Sequence, residues 1–300
     1  MPTCVEFGDV MGWGRIFIAM EKDKMTNYSQ PANRAVLCEM ASKMLMCVAV
    51  AMVTTACGGV GGRQVDATAQ LAQAQGEAAL QLERGDRFLE SGQYHYAYNA
   101  YTVALKLSPE HLGALHSRAI ASMKRRKFEA ALTDFDLLLE LGGEDPTVYF
   151  NLGNIYVRTT RLQQAIKVYK RSLELKPDQF DVMNNLSNCY ADLGRLDEAK
   201  ALLEKITRMW PDRPEPFSNL GTIYEVEKDY KMAESHYLKA ISVEPNHPAA
   251  HYNLGSLMVK NRRVREALTH YREFIKLSPD AFDARKVQSR VNVLSGAGPS

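Results

Sequence analysis

From residue 78 onward, apolar stretches at helical spacing alternate with short polar breaks, and the alternation repeats every 34 residues. The units begin at Ala78, Leu112, Pro146, Phe180, Pro214 and Pro248, and they span 78–111, 112–145, 146–179, 180–213, 214–247 and 248–281. The third unit shows the pattern best. Tyr149, Leu152 and Tyr156, at unit positions 4, 7 and 11, make one apolar stripe. Gly153 and Ala165, at positions 8 and 20, are small where two helices must approach closely. Tyr169 lies on the second stripe, and Pro177 ends it, because proline lacks an amide donor and disfavours helix in the residue before it. The fifth unit repeats this with Phe217, Leu220, Gly221, Tyr224, Ala233, Tyr237 and Pro245, and the sixth with Leu254, Gly255, Ala267, Tyr271 and Pro279. The fourth has Ser187 in the glycine place. The first two are looser, with Arg84 for the expected leucine in one, and Ser122 for the aromatic and Gly143 for the closing proline in the other.

One helical hairpin cannot cover its own apolar face, so neighbours must stack. The pattern resembles the tetratricopeptide family over 78–281. The resemblance implies an all-α fold, a right-handed solenoid of six tetratricopeptide helical hairpins with a C-terminal capping helix. Val287, Val291 and Leu294 sit at spacings of four and three, so 282–295 reads as that cap, and the tail to Ser300 is expected to fray. The Ala- and Gln-rich stretch Ala67–Ala79 is expected to be helical and to lead into the first unit.

The region 1–77 reads as an address. Met-Ala-Ser-Lys from Met40, the uncharged run Met44–Ala56 and then Cys57-Gly58-Gly59 form a basic start, an apolar core and a small-residue cleavage site. The run is shorter than the roughly 20 residues of a bilayer span. Thr54-Thr55-Ala56-Cys57 resembles the lipobox of bacterial lipoproteins, although Thr54 stands where that family usually has leucine. The resemblance implies lipidation of Cys57, whose thiolate would take the lipid, and Gly58 after it implies sorting to the outer membrane. Ordinary signal-peptidase cleavage and a buried apolar helix are the other readings. Residues 1–56 are thus the leader. Residues 1–39 carry five acids that suit no such signal, so translation is expected to start at Met40, or at Met20 or Met25. Residues 57–77 are the anchored cysteine and its tether, Gly-rich up to Asp66.

Composition narrows the function. A net charge of +2 opposes general nucleic-acid binding, which needs a basic face. The runs Lys124–Lys127 and Arg262-Arg263 fall where turns are expected. Five cysteines without CxxC spacing suggest no zinc site, and Cys189 is alone in the repeats. The seven histidines share no ligand frame, and no phosphate loop or nucleophile elbow appears. Tyr169, Tyr237 and Tyr271 read as core. A non-enzymatic protein with no cofactor, metal or small-molecule substrate is expected.

In the resembled family, positions 2, 5, 6, 9, 12 and 13 line a concave groove. Position 6 here reads Glu83, Ser117, Asn151, Asn185, Asn219 and Asn253, and position 9 adds Asn154 and Asn188. An asparagine amide both donates and accepts, so the ladder could hold an extended peptide backbone; the other reading is that it bonds a neighbouring helix. Phe150 and Tyr252 at position 5, with Leu82, Leu89 and Met123, give the groove apolar character, more so in the first three units. Positions 2, 5 and 6 hold no Lys or Arg, which argues against a chaperone-tail clamp.

A lipobox followed by six repeats resembles the type IV pilus pilotins (the PilF, PilW and Tgl group). That resemblance implies a periplasm-facing, lipid-anchored outer-membrane scaffold whose partner is a secretin subunit. An envelope adaptor for peptidoglycan hydrolases or a protease, and a soluble or inner-membrane assembly scaffold, are the alternatives.

Overall fold

The computed structural model describes residues 67–280 and 283–296. The leader, Cys57, the Gly-rich tether and the C-terminal tail beyond residue 296 lie outside the described residues. Thirteen helices and no strand occur among the described residues: α1 (Ala67–Glu90), α2 (Tyr94–Leu107), α3 (Leu112–Lys124), α4 (Phe128–Glu140), α5 (Pro146–Arg158), α6 (Leu162–Leu175), α7 (Phe180–Asp192), α8 (Leu196–Met209), α9 (Glu215–Val226), α10 (Tyr230–Val243), α11 (Pro248–Lys260), α12 (Val264–Leu277) and α13 (Ala284–Leu294). None is long and apolar enough to cross a membrane. Helix α1 begins at Ala67, where the Ala- and Gln-rich stretch was expected to be helical, and runs without a break into the first helix of the first unit.

The turn inside each hairpin repeats with the same period as the side chains. Gly92, Arg126, Thr160, Gly194, Lys228 and Arg262 all take a positive φ, between 59° and 73°. The residue after each donates back into the closing helix, as in Arg161 N to Tyr156 O at 2.7 Å and Asp229 N to Tyr224 O at 2.9 Å. This left-handed cap satisfies carbonyls that the helix end would leave bare. Five of the second helices end two residues before Pro109, Pro177, Pro211, Pro245 and Pro279. The second hairpin, which lacks that proline, stops at Gly142 (φ 81°) and Gly143, whose amides bond Leu139 O and Leu138 O.

The described chain divides into two compact bodies. The first holds α1, α2, the start of α3 through Arg118, and Leu137–Gly143. Its core is Ala97, Ala100, Tyr101 and Ala104 of α2, with Tyr101 laid against Gly85 of α1. The second holds Ala119–Asp136 and everything from Glu144. In it each hairpin packs on the next, α6 on α7, α8 on α9 and α10 on α11, and the first helices also touch one another, α7 with α9 and α9 with α11. Ala165, Tyr169, Val182, Leu186, Leu203, Ile206, Leu220 and Ile223 form one continuous buried cluster through the third to fifth hairpins. Helix α13 closes the last one, with Val287 and Val291 buried against Tyr271 and Phe274.

Candidate binding groove

A concave groove of about 830 Å³ opens in the second body, across the first helices α3, α5 and α7. Asn151 and Asn154 of α5 and Asn185 and Asn188 of α7 lie along it, at positions 6 and 9 of their units. Ile120, Met123, Phe128 and Val157 supply an apolar wall. Lys124, Arg126, Arg158 and Asp192 are its charged lining residues, with Lys124, Arg158 and Asp192 each at position 13 of its unit.

The asparagines are bonded to one another. Asn185 Nδ2 donates to Asn154 Oδ1 at 3.0 Å, Asn219 Nδ2 to Asn188 Oδ1 and Asn184 Oδ1 at 3.0 Å each, and Asn253 Nδ2 points at Thr222 Oγ1 at 3.5 Å. Position 6 of one hairpin therefore reaches position 9 of the hairpin before it. The same position 9 residue receives the buried tyrosine of its own hairpin. Tyr169 Oη donates to Asn154 Oδ1 at 2.7 Å and Tyr101 Oη to Asp86 Oδ1 at 2.6 Å, while Tyr237 Oη meets Thr222 Oγ1 at 3.3 Å and Tyr271 Oη meets Ser256 Oγ at 3.1 Å. Burial pushes the phenols of Tyr101, Tyr169 and Tyr237 far above their ordinary value, so each stays a neutral donor. The ladder is thus first a set of staples between and within hairpins. Sequence reading missed Asp86, Thr222 and Ser256; the signal was a polar residue fifteen places before each core tyrosine.

One rung differs. Asn151 would bond position 9 of the second hairpin, but that place is Ile120, which has no acceptor. Asn151 lines the groove with its amide in no hydrogen bond among the described residues.

Other expected groove residues lie elsewhere. Phe150 packs into the inter-hairpin core beside Tyr169, with ring centroids 6.3 Å apart, and Tyr252 packs on Phe274 at 5.3 Å. Both were expected in the groove, but each packs against the second helix of its own hairpin, Phe150 also against the cluster shared with the fourth hairpin and Tyr252 against the cluster that α13 closes. Leu82 and Leu89 are half-buried on α1, in the first body. Met123 is in the groove as expected. Cys189 sits beneath it, a buried free thiol that burial pushes up to about 11 and so out of ready reactivity. Among the described residues no cluster of three or more His, Cys, Asp or Glu side chains could hold a metal ion.

In the last hairpin His251 and His270 form a close pair, with Nδ1 atoms 3.1 Å apart. His251 Nε2 lies 2.9 Å from Pro245 O. A carbonyl can only accept, so that nitrogen carries the hydrogen, and in the neutral ring His251 Nδ1 accepts from His270. Burial and then His251 hold His270 below its ordinary value, opposed by Glu266 and Glu234. Burial also lowers His236. A histidine depressed by folding binds its proton better in the unfolded chain, so its contribution is whole above about pH 6.5 and is lost as the pH falls below that. Thermal midpoints should therefore drop between pH 7.5 and 5.5, before the carboxylates titrate. His270→Gln should flatten that slope, and an unchanged slope would remove His270 as its source.

Comparison with known proteins agrees with the hairpin pattern. Tetratricopeptide-repeat models match residues 82–147, 156–218, 215–247 and 236–269. No curated protein sequence matches the chain. Among solved structures, PilW, described as a widely conserved type IV pilus biogenesis factor, is similar with a TM-score of 0.60 at 16% identity, over 70% of this chain and 98% of its own. PilF of Pseudomonas aeruginosa gives 0.57 at 16% identity, over 74% and 99%. A chain of the APC/C heterotetramer Cut9–Hcn1 gives 0.56 at 16% identity over 72% of this chain, which spans only 42% of that one. At these identities the likeness establishes the fold.

Proposed function

From its membership of the tetratricopeptide-repeat proteins, we propose that this chain is a lipid-anchored scaffold of the outer membrane, a pilotin that assists secretin assembly for type IV pili. The observation that carries the reading is the groove across α3, α5 and α7, an amide floor beside an apolar wall. Two further facts support it. The chain matches both type IV pilus proteins over nearly their whole length, and Thr54-Thr55-Ala56-Cys57 precedes the repeats as a lipobox would.

In this reading the lipid on Cys57 carries the hairpins to the inner leaflet of the outer membrane. The groove then holds an exposed apolar segment of the secretin subunit and keeps it from aggregating. Anchoring raises the local concentration of the pair at the bilayer, which favours ring closure. The test is an immunoblot for heat-stable secretin multimers in a strain deleted for this gene and in one carrying Cys57→Ala. Both should lose multimers while keeping monomer, and the Cys57→Ala protein should leave the outer-membrane fraction still folded. Undisturbed multimers in the deletion strain would end the pilotin reading. A Cys57→Ala protein that stays with outer membranes would end the anchor.

A further inference from the structure

The groove is not uniform along its length, and the differences meet at one place. Asn151 is the rung whose amide no neighbouring hairpin uses, because Ile120 stands at the acceptor position before it. Around it the groove changes character. Ile120, Met123 and Val157 make the adjoining wall apolar, and the same lining carries Lys124, Arg126 and Arg158. All three cations are exposed, and none makes an ion pair or hydrogen bond among the described residues. Several cations elsewhere on the second body are paired. Arg161 pairs with Glu129, Arg171 with Glu144, Lys200 with Glu227 and Arg263 with Glu234. Within the groove only Asp192 opposes them among the described lining residues, and it lies on α7, two hairpins on from Lys124.

We propose that the segment held in this groove is an extended, acidic-apolar peptide whose backbone bonds Asn151, whose apolar side chain packs on Ile120, Met123 and Val157, and whose carboxylate lies over Lys124, Arg126 and Arg158. This deepens the groove-binding part of the proposed function and rests on it. An extended backbone presents one donor and one acceptor per residue, which a free amide can meet as a pair. Successive side chains of an extended segment point to opposite sides, so an acid next to an apolar residue reaches the basic side chains while its neighbour enters the wall. Charge complementarity of this kind selects partners and speeds encounter, and it weakens with salt.

The probe is a pair of fluorescein-labelled nonapeptides with the same Val-Leu-Ile centre, flanked by Asp in one and Lys in the other. Fluorescence anisotropy with the purified protein should show the Asp peptide binding about tenfold tighter at low salt, a preference that shrinks in about 0.5 M salt. Lys124→Glu/Arg158→Glu should reverse the preference, and Asn151→Ala should weaken both peptides. These side chains make no internal bonds, so circular dichroism melts of the variants should match the parent and exclude unfolding. Equal affinity for the two peptides, preference for Lys, no effect of the charge reversal, or no binding of either peptide would overturn the proposal. If it falls while secretin multimers still depend on the gene, the pilotin reading survives and only the groove chemistry is wrong.

Discussion

Gly153→Ala is expected to lower the thermal midpoint by roughly 8 °C, although alanine is the better helix former. A Cβ built at Gly153 would lie 2.2 Å from Cε1 of Tyr169, and Cδ1 and Cζ are also within 2.6 Å. Tyr169 has no exposed surface and its hydroxyl is tied to Asn154, so the ring has nowhere to go. Helix α5 or α6 must move instead. Overpacking of that kind costs about 3 kcal/mol at the upper end of the usual range, and a domain of this size loses roughly 2–4 °C per kcal/mol. Gly76→Ala is the control, since nothing lies within 4 Å of that position and alanine should stabilise the helix slightly. The chain already contains the compensated versions. Where position 8 is Ser187, position 24 is Leu203, and where it is Ala119, position 24 is Phe135, both buried. Gly153→Ala/Tyr169→Leu should therefore cost less than the two single changes added together. Strict additivity in urea denaturation would show that the ring and the glycine are not coupled.

The hairpin pattern was legible because packing repeats with the chain. Gly153, Tyr169 and Pro177 recur at fixed spacing, and each has one physical job that a neighbour in sequence cannot do. Hairpin boundaries followed within a few residues. The groove was legible only in part. Position in the unit put Asn151, Asn154, Asn185, Asn188 and Met123 on one face, and all five line the groove, since the helical period fixes which face a residue takes. It could not say how that face was used. Phe150 and Tyr252 share the position assigned to the groove, yet both pack into the core beside the second helix of their own hairpin, and that depends on how the two helices of a hairpin are set against each other. The turn residues show the same limit. Thr160 takes a φ of 60° that β-branched residues rarely adopt, and only the period it shares with Gly92 and Gly194 betrays it. The asparagine ladder leaves two readings open in the sequence, a peptide ligand or a neighbouring helix, because amide chemistry fits a peptide as well as it fits another amide. Which partner wins is settled by residue 9 of the preceding hairpin, a place that carries no motif.

That distinction sets the second large effect. Asn154→Ala should destabilise the protein by about 2–3 kcal/mol, while Asn151→Ala, one helical turn away on the same face, should cost less than about 0.5 kcal/mol. Asn154 Oδ1 accepts both Tyr169 Oη at 2.7 Å and Asn185 Nδ2 at 3.0 Å. Removing it strands a fully buried phenol and an amide at a hairpin boundary, and a stranded donor costs its desolvation in full. Asn151 strands nothing. Tyr169→Phe in the Asn154→Ala background removes the orphaned hydroxyl, so the second change should cost less there than alone, with a coupling of about 1 kcal/mol. Urea melts of the four proteins decide the matter. Equal losses at 151 and 154 would mean the amides are interchangeable surface groups and the staple does not exist. The expected inequality has a consequence for mapping the partner. Alanine at Asn185 or Asn219 loosens a boundary between hairpins as well as the groove, so lost binding there cannot be assigned to a lost contact. Asn151 is the position where a change in binding reads the ligand alone.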